Sequence, residues 1–243
     1  MTDGASRAGL MDGSQPSLPD ELVERAIYRR GRLAVHDTID ATRTALLVVD
    51  MQNAWLAPGA PFETPVARTI VPAIDRLASA LRGTGGLVVW LRHTAATKGA
   101  PLDWPGYYDT HVAERYRAET RDALAAGTRT HAVADALDVH EADWTLDKYR
   151  FSPFVRSDVD FEARLVARGI DSVIVAGTAT NVAVESTARD AMMRDFRTFV
   201  PHDAVVAPYY DGHLAAMRSL VQLIADVRPV DELIALIRTP QAA

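Results

Sequence analysis

Residues 171–191 read DSVIVAGTATNVAVESTARDA, and this stretch decides how the rest of the chain is interpreted. Its run from Val173 to Ala176 is apolar and rich in β-branched residues, which predicts a buried strand ended by Gly177. From Asn181 onward the residues follow helical spacing. A strand that turns directly into a helix gathers backbone N–H groups and the positive helix end at one point, where negative charge on a carbonyl oxygen is stabilised. The residue best placed to attack such a carbonyl is Ala183, which has no nucleophilic atom.

Composition places the chain among ordinary globular proteins. It has 243 residues, of which 48% are hydrophobic and 24% charged, and a net charge of −6. The acidic balance argues against nucleic acid as a partner. No apolar run approaches the roughly 20 residues that cross a bilayer, so no membrane partner is expected. The N-terminus lacks an apolar signal core, which predicts a cytoplasmic location. The chain has no cysteine and therefore no disulfide, thiolate metal site or thiol nucleophile of its own.

Strand and helix patterns alternate along the chain without an internal repeat or a linker-like composition. This alternation predicts one α/β domain with a mainly parallel central sheet, in a three-layer α/β/α sandwich. Residues 1–17 are expected to form a flexible tail and residues 18–243 a single domain. Strands are predicted over 44–49, 87–91, 144–148, 173–176 and 198–201, and helices over 18–28, 66–82, 111–125, 160–168, 212–224 and 230–237.

Three positions follow predicted strands at what should be one edge of the sheet. Asp50 follows the first strand, Lys148 ends the short one, and Ala183 follows the central one. Ligand sites of open parallel sheets lie beyond the carboxyl ends of the strands. A carboxylate there can accept and return a proton, while an ammonium group keeps it charged. A lone Asp after a strand is often only a turn former, and a lone Lys is usually a surface residue.

Three sequence blocks together resemble the signature blocks of the isochorismatase-like cysteine hydrolases, in the same order and spacing over about residues 40–230. The blocks are DMQN at 50–53, KYRFS at 148–152 and GTATNVAVEST at 177–187. The resemblance implies an Asp–Lys–Cys triad at Asp50, Lys148 and position 183. It also implies a cis peptide between Thr178 and Ala179, and an oxyanion hole formed by the N–H groups of Ala179 and Ala183. A thiolate in such a site attacks an amide or ureido carbonyl, and water then releases the acid.

This chain departs from the family pattern at position 183, where Ala replaces the nucleophilic Cys. Three interpretations stay open. The chain is an engineered Cys→Ala variant of an amidohydrolase, since the Asp, the Lys and the surrounding motif are all present. Alternatively it is a natural isochorismatase-type enzyme that cleaves a vinyl ether with Asp50 as general acid, although the central motif of those relatives differs. As a third possibility it is a pseudoenzyme that only binds a ligand.

The third block is most similar to the ureidoacrylate and biuret hydrolase branch, which implies a small amide or ureido substrate. Tyr149 stands where ureidoacrylate enzymes tend to have Pro, so that exact substrate is not assigned. The Asp-x-His metal cluster of nicotinamidases does not follow the first strand, and neither a metal nor a cofactor is expected. Relatives form homo-oligomers, dimers or tetramers, and the same is expected here. The residues expected to contact the substrate are Gln52, Asn53, Trp55, His93, Tyr149 and Thr178, with Trp104, Tyr107 and Phe151 in an apolar wall.

Overall fold

Apolar, β-branched runs form the middle of a parallel sheet. The computed structural model describes residues 18–238, so the expected tail over residues 1–17 lies outside the described residues, as do residues 239–243. The strands are β1 Ile39–Asp40, β2 Thr44–Val49, β3 Leu87–His93, β4 Trp144–Lys148, β5 Ser172–Thr178, β6 Arg197–Pro201, β7 Val205–Val206, β8 Asp226–Arg228 and β9 Ile237–Arg238. The helices are α1 Asp20–Arg30, α2 Asn53–Leu56, α3 Val71–Gly83, α4 Pro105–Tyr108, α5 Glu114–Ala123, α6 Phe161–Ala167, α7 Glu185–Met192, α8 Tyr210–Ser219 and α9 Val230–Leu236.

The main sheet has the strand order β4-β3-β2-β5-β6-β8, with β7 added beside the end of β5. All of these strand pairs are parallel. Val49, at the end of β2, pairs with Leu91 of β3 on one side and with Gly177 of β5 on the other. His93 pairs with Lys148 at the end of β4. The carboxyl ends of four neighbouring strands are therefore level, and the residues after them share one edge.

Two hydrophobic cores lie on opposite faces of the sheet, as period-two alternation along a doubly covered strand requires. On β2, Leu47 faces the core packed by α1, α6, α7 and α8, whereas Leu46 faces the core packed by α3 and α9. Helices therefore cover both faces. This arrangement confirms the predicted three-layer α/β/α fold.

The boundaries of several elements differ from the predictions. The helix expected over 66–82 is divided into a 3₁₀ turn at Pro65–Ile70 and α3, because Pro72 has no N–H to donate and starts a new helix. Gly177 does not end the central strand, since β5 continues to Thr178. The helix expected from Asn181 begins as a π-helical turn at Thr180–Val184 and only then becomes α7.

Among the helices of residues 18–238, none combines the length and the apolar character needed to cross a bilayer.

Candidate active site

The carboxyl edge of the sheet brings together the three positions that the sequence singled out. Asp50 directly follows β2, and its φ of 53° turns the chain sharply away from the strand. Lys148 is the last residue of β4. Ala183 lies in the π-helical turn after β5 and is only 2% exposed. Neighbouring strands thus deliver a carboxylate, an ammonium group and a helix-start position to one site.

Asp50 and Lys148 form a buried ion pair. The Lys148 Nζ donates a hydrogen bond of 3.0 Å to Oδ2 of Asp50 and lies 2.9 Å from Oδ1. The ammonium group of Lys148 therefore contacts both oxygens of the Asp50 carboxylate. Burial raises the pKa of the Asp50 carboxyl, and the charge of Lys148 opposes that rise. The pair therefore holds a buried carboxylate whose pKa is set by two opposing effects, which suits it to exchanging a proton.

The turn after β5 supplies the backbone of the site. Thr178 and Ala179 are joined by a cis peptide bond, which confirms the position implied by the family resemblance. Thr180 Oγ1 lies 2.9 Å from Nδ1 of the buried His213, which ties this turn to α8. Thr187 Oγ1 donates a hydrogen bond of 2.7 Å to the carbonyl oxygen of Ala183. These contacts fix the turn that carries the backbone N–H groups of Ala179 and Ala183.

A cavity of about 230 Å³ lies at this edge. Small-molecule pockets commonly measure roughly 300–1,000 Å³, so this volume indicates a small ligand. Most of the wall is aromatic or aliphatic, and the acid of the buried ion pair forms part of it. The lining residues are Asp50, Trp55, Phe62, His93, Tyr107, Thr120, Leu124, Phe151, Thr178, Ala179, Val182 and Ala183.

Three of the six residues expected to contact a substrate line this cavity, namely Trp55, His93 and Thr178. His93 is buried, and its Nε2 lies 3.2 Å from the hydroxyl of Tyr108. Burial lowers the pKa of His93 well below its usual value, and the charge of Lys148 lowers it further. His93 is therefore a neutral hydrogen-bonding group at neutral pH.

Gln52 and Asn53 do not line the cavity, because their side-chain amides hold the surrounding backbone. The amide of Gln52 accepts a hydrogen bond of 2.7 Å from the N–H of His93 and donates one of 2.8 Å to the carbonyl of His131. The amide of Asn53 donates to the carbonyl of Arg129 and to the carboxylate of Asp135, both at 3.1 Å. Both side chains fasten the loop after α5 to the edge of the sheet.

Tyr149 lies outside the cavity as well. It follows β4, and because side chains alternate along an extended chain it lines a separate cavity with Thr94, Leu102 and neighbouring small residues. Of the expected apolar wall, Tyr107 and Phe151 line the main cavity. Trp104 supports them from outside, with its ring centroid 4.8 Å from that of Tyr107.

Four lining residues were not anticipated from the sequence: Phe62, Thr120, Leu124 and Val182. Thr120 and Leu124 are four residues apart and therefore share one side at the end of α5. The stretch was predicted as a polar helix, and this spacing is the signal that could have identified them. Phe62 lies in an irregular segment without periodicity, so no pattern indicated its place.

Clusters of at least three His, Asp or Glu side chains suited to holding a metal ion do not occur within residues 18–238.

Comparisons with known proteins found a matching family model and similar sequences and structures. The model of the isochorismatase domain family matches residues 44–232. A ureidoacrylate amidohydrolase, RutB, of Methylorubrum extorquens is 36% identical over 203 residues, which cover 77% of this chain and 81% of the relative. The crystal structure of a cysteine hydrolase from Pseudomonas syringae is similar with a TM-score of 0.75 and 26% identity, over 84% of this chain and 96% of that one. An N-carbamoylsarcosine amidase from Thermoplasma acidophilum has a TM-score of 0.61 and 25% identity, over 78% of this chain and 97% of that one.

Proposed function

This chain belongs to the isochorismatase domain family, and from that premise we propose that its site is built to hydrolyse a C–N bond in a small linear amide or ureido compound. The triad consists of Asp50, Lys148 and position 183. Since residue 183 is Ala, the chain as written binds substrate without turning it over. The name of the similar ureidoacrylate amidohydrolase and that of the similar carbamoylsarcosine amidase both describe C–N hydrolysis, which supports this reaction class.

The single observation that carries the proposal is the buried Asp50–Lys148 pair beside the turn that bears Ala183. A buried ion pair is not needed to stabilise a fold, since apolar residues of similar volume often stabilise it equally well. Here Asp50 of the pair lines a cavity together with Ala179 and Ala183 of that turn. Such an arrangement is typical of a proton-transfer site.

With Cys at position 183, each group has a defined role. The carboxylate of Asp50 accepts the thiol proton, and Lys148 keeps that carboxylate charged. The thiolate attacks the carbonyl carbon of the substrate, and the N–H groups of Ala179 and Ala183 stabilise the resulting oxyanion. Asp50 then returns the proton to the departing ammonia or amine. Finally Asp50 takes a proton from the water that attacks the thioester, the C–S bond breaks to release the acid, and Asp50 returns the proton to the departing thiolate.

One observation favours a second candidate, which is vinyl-ether hydrolysis by Asp50 as a general acid. Burial raises the pKa of Asp50, and a carboxyl that keeps its proton to a higher pH can protonate a substrate without any thiol. The chain with Ala183 would then be active as written. This candidate therefore predicts turnover in the absence of a nucleophile, whereas the amidohydrolase proposal predicts none.

The test is ammonia release from a panel of small ureido and carboxamide compounds by the Ala183→Cys variant and by the chain as written. We expect the Cys variant to exceed the chain as written by on the order of a thousandfold or more, because an attacking atom is essential in this mechanism. The new thiol should titrate below its usual value of about 8.5, which a pH series of thiol alkylation measures.

Two controls separate catalysis from mere ligand binding. Ala183→Ser adds an atom of similar size but a much weaker nucleophile, so its ammonia release should stay close to that of the chain as written. Asp50→Asn in the Ala183→Cys background removes the proton acceptor and should abolish the gain. If Ala183→Cys releases no ammonia from any compound while the chain as written cleaves isochorismate, vinyl-ether chemistry replaces the proposal. If neither variant turns over any substrate, the site only binds.

The cytoplasmic location and the homo-oligomeric assembly inferred from the sequence stay predictions.

A further inference from the structure

The wall of the candidate cavity is dominated by aromatic and aliphatic side chains. Eight of its twelve residues carry such side chains, and the remaining four are Asp50, His93, Thr120 and Thr178. The rings of Trp55 and Phe62 lie 5.7 Å apart between centroids, and those of Tyr107 and Phe151 lie 5.4 Å apart. Rings packed in this way offer a rigid apolar surface to the body of a ligand.

The polar groups of the wall are neutral apart from the catalytic acid. Buried His93 touches the Tyr108 hydroxyl, and its Nδ1 has no hydrogen-bond partner within residues 18–238. The Thr178 hydroxyl donates to the carbonyl of Val206 at 3.4 Å. Asp50 is the one lining residue that carries a formal charge, and that charge is negative.

Within residues 18–238, none of the residues that line the cavity is a lysine or an arginine, and three cations bonded or adjacent in sequence to lining residues contact other groups. Lys148 holds Asp50. Arg121 is paired with Asp103 at 2.8 Å through Nη1, and its guanidinium lies 4.3 Å from the ring centroid of Tyr108. Its Nη2 lies 3.7 Å from Asp109 and has no hydrogen-bond partner within residues 18–238. Arg150 donates to backbone carbonyl groups, that of Tyr149 among them, and lies over the ring of Trp104. An anionic ligand in the cavity would thus be removed from water without a lysine or arginine in the wall to pair with it.

We propose that this cavity takes an uncharged amide or ureide with an apolar substituent and rejects analogues in which that substituent ends in a carboxylate. The inference rests on the proposed function for the reacting group and adds the charge class of the substrate. Ureidoacrylate, the compound in the name of the similar amidohydrolase, is an anion and falls in the rejected class. The neutral His93 supplies a hydrogen bond for the polar end of the ligand, and the ring pairs enclose the apolar end.

The test is equilibrium binding to the chain as written, in which Ala183 prevents turnover. Three ligands are compared: propylurea, N-carbamoyl-β-alanine, in which a carboxylate replaces the terminal methyl group, and its methyl ester, which keeps the added atoms but not the charge. The signal is tryptophan fluorescence, since Trp55 lines the cavity. We expect Kd values for propylurea and the ester at least 30-fold lower than that for the carboxylate.

A matched pair of variants tests the cause of the preference. Phe62 lies in the wall at intermediate exposure, so Phe62→Arg installs a cation there without burying it deeply. This variant should bring the carboxylate to within threefold of the neutral ligands or make it the tighter one. Phe62→Gln removes the same ring without adding charge and should keep the neutral preference.

The inference is overturned if N-carbamoyl-β-alanine binds as tightly as propylurea, or if none of the three ligands binds. Because ligand binding does not require the triad, the outcome of the binding experiment is separate from that of the ammonia assay. Neutral preference without turnover by Ala183→Cys leaves the charge class standing and removes the proposed hydrolysis. Turnover by Ala183→Cys combined with a preference for the carboxylate ligand leaves the proposed hydrolysis standing and removes the charge class.

Discussion

The buried charges of Asp50 and Lys148 are stabilised mainly by each other. Lys148 has no exposed surface and Asp50 is 5% exposed, yet both carry charged groups. The ion pair and the hydrogen bond to Oδ2 offset part of the free energy of removing both charges from water. Removing one partner leaves the other buried without its counter-charge.

Lys148→Met should therefore lower the free energy of unfolding by about 3–5 kcal/mol, because Met keeps the length of the side chain but not its charge. Urea unfolding at pH 7 followed by circular dichroism measures this change. The double variant Asp50→Leu/Lys148→Met removes both charges and should recover about 2 kcal/mol or more of the loss. Equal instability of the single and double variants would show that packing, rather than the unpaired carboxylate, causes the loss.

At the level of single residues, the sequence indicated the position of residues that directly follow or end a strand. It did not indicate the position of residues whose place depends on the direction of the side chain. Asp50 and Lys148 follow directly from where β2 and β4 end. Gln52 was expected at the substrate as a member of the DMQN block. Its amide instead bonds the backbone of His93 and His131, since an amide can hold a backbone loop as readily as a ligand.

At the level of elements, close contact between β5 and β2 brings the turn with Ala183 up to Asp50. Gly177 has a φ of +114°, and a Cβ built on it would lie 2.2 Å from the carbonyl oxygen of Val49. No side chain fits between the two strands at this point. The sequence indicated Gly177 as the end of the strand, whereas its real contribution is to let β5 approach β2 within the sheet.

Gly177→Ala should lower the free energy of unfolding by about 3 kcal/mol or more, from left-handed backbone strain together with steric overlap against β2. Gly169→Ala is the matched control, since Gly169 has a φ of +79° and a Cβ added to it would meet no atom within 4 Å. Gly169→Ala introduces the backbone strain without the steric overlap, so its free energy of unfolding should fall by only about 1 kcal/mol. Urea unfolding of both variants gives the comparison, and similar losses would rule out the close approach as the cause.

The sequence predicted where helices lie more accurately than whether a turn is α-helical or π-helical. A period near 3.6 marks the buried side of α3 and α7, so their existence followed from the sequence. The π-helical turn at Thr180–Val184 has the same composition as an α-helical turn would have. It is set by tertiary contacts, such as that between Thr180 and His213, which no local pattern records.

At the level of the whole molecule, the order of the strands could not be read from the chain. Alternation of strands and helices predicted the three layers, and the motif blocks indicated the edge that carries the site. The path β4-β3-β2-β5-β6-β8 results from how the layers pack against both faces. The cavity wall draws on segments far apart in sequence, Phe62 and Leu124 among them, and this explains why its apolar character emerged only from the structure.

Histidines in the folded molecule make its stability depend on pH. Burial is the largest cause of a lowered pKa at His36, His93, His202 and His213, and for His213 the pKa falls to about 4. In the unfolded chain a histidine takes up a proton near pH 6.5. As the pH falls from 6.5 toward 4, the unfolded state therefore binds protons that the folded state does not, and stability decreases.

His213 alone should account for a loss of about 2 kcal/mol between pH 7.5 and pH 5, given its shift from 6.5 to about 4. Asp50 acts in the opposite direction, because burial raises its pKa and the folded state takes up that proton first. His213→Asn isolates the histidine contribution, since Asn keeps a polar group near Thr180 but does not titrate in this range. Urea unfolding at pH 7.5, 6 and 5 should show a smaller loss of stability for the variant than for the chain as written. Parallel pH profiles for the two proteins would mean that His213 accepts its proton as readily when folded as when unfolded.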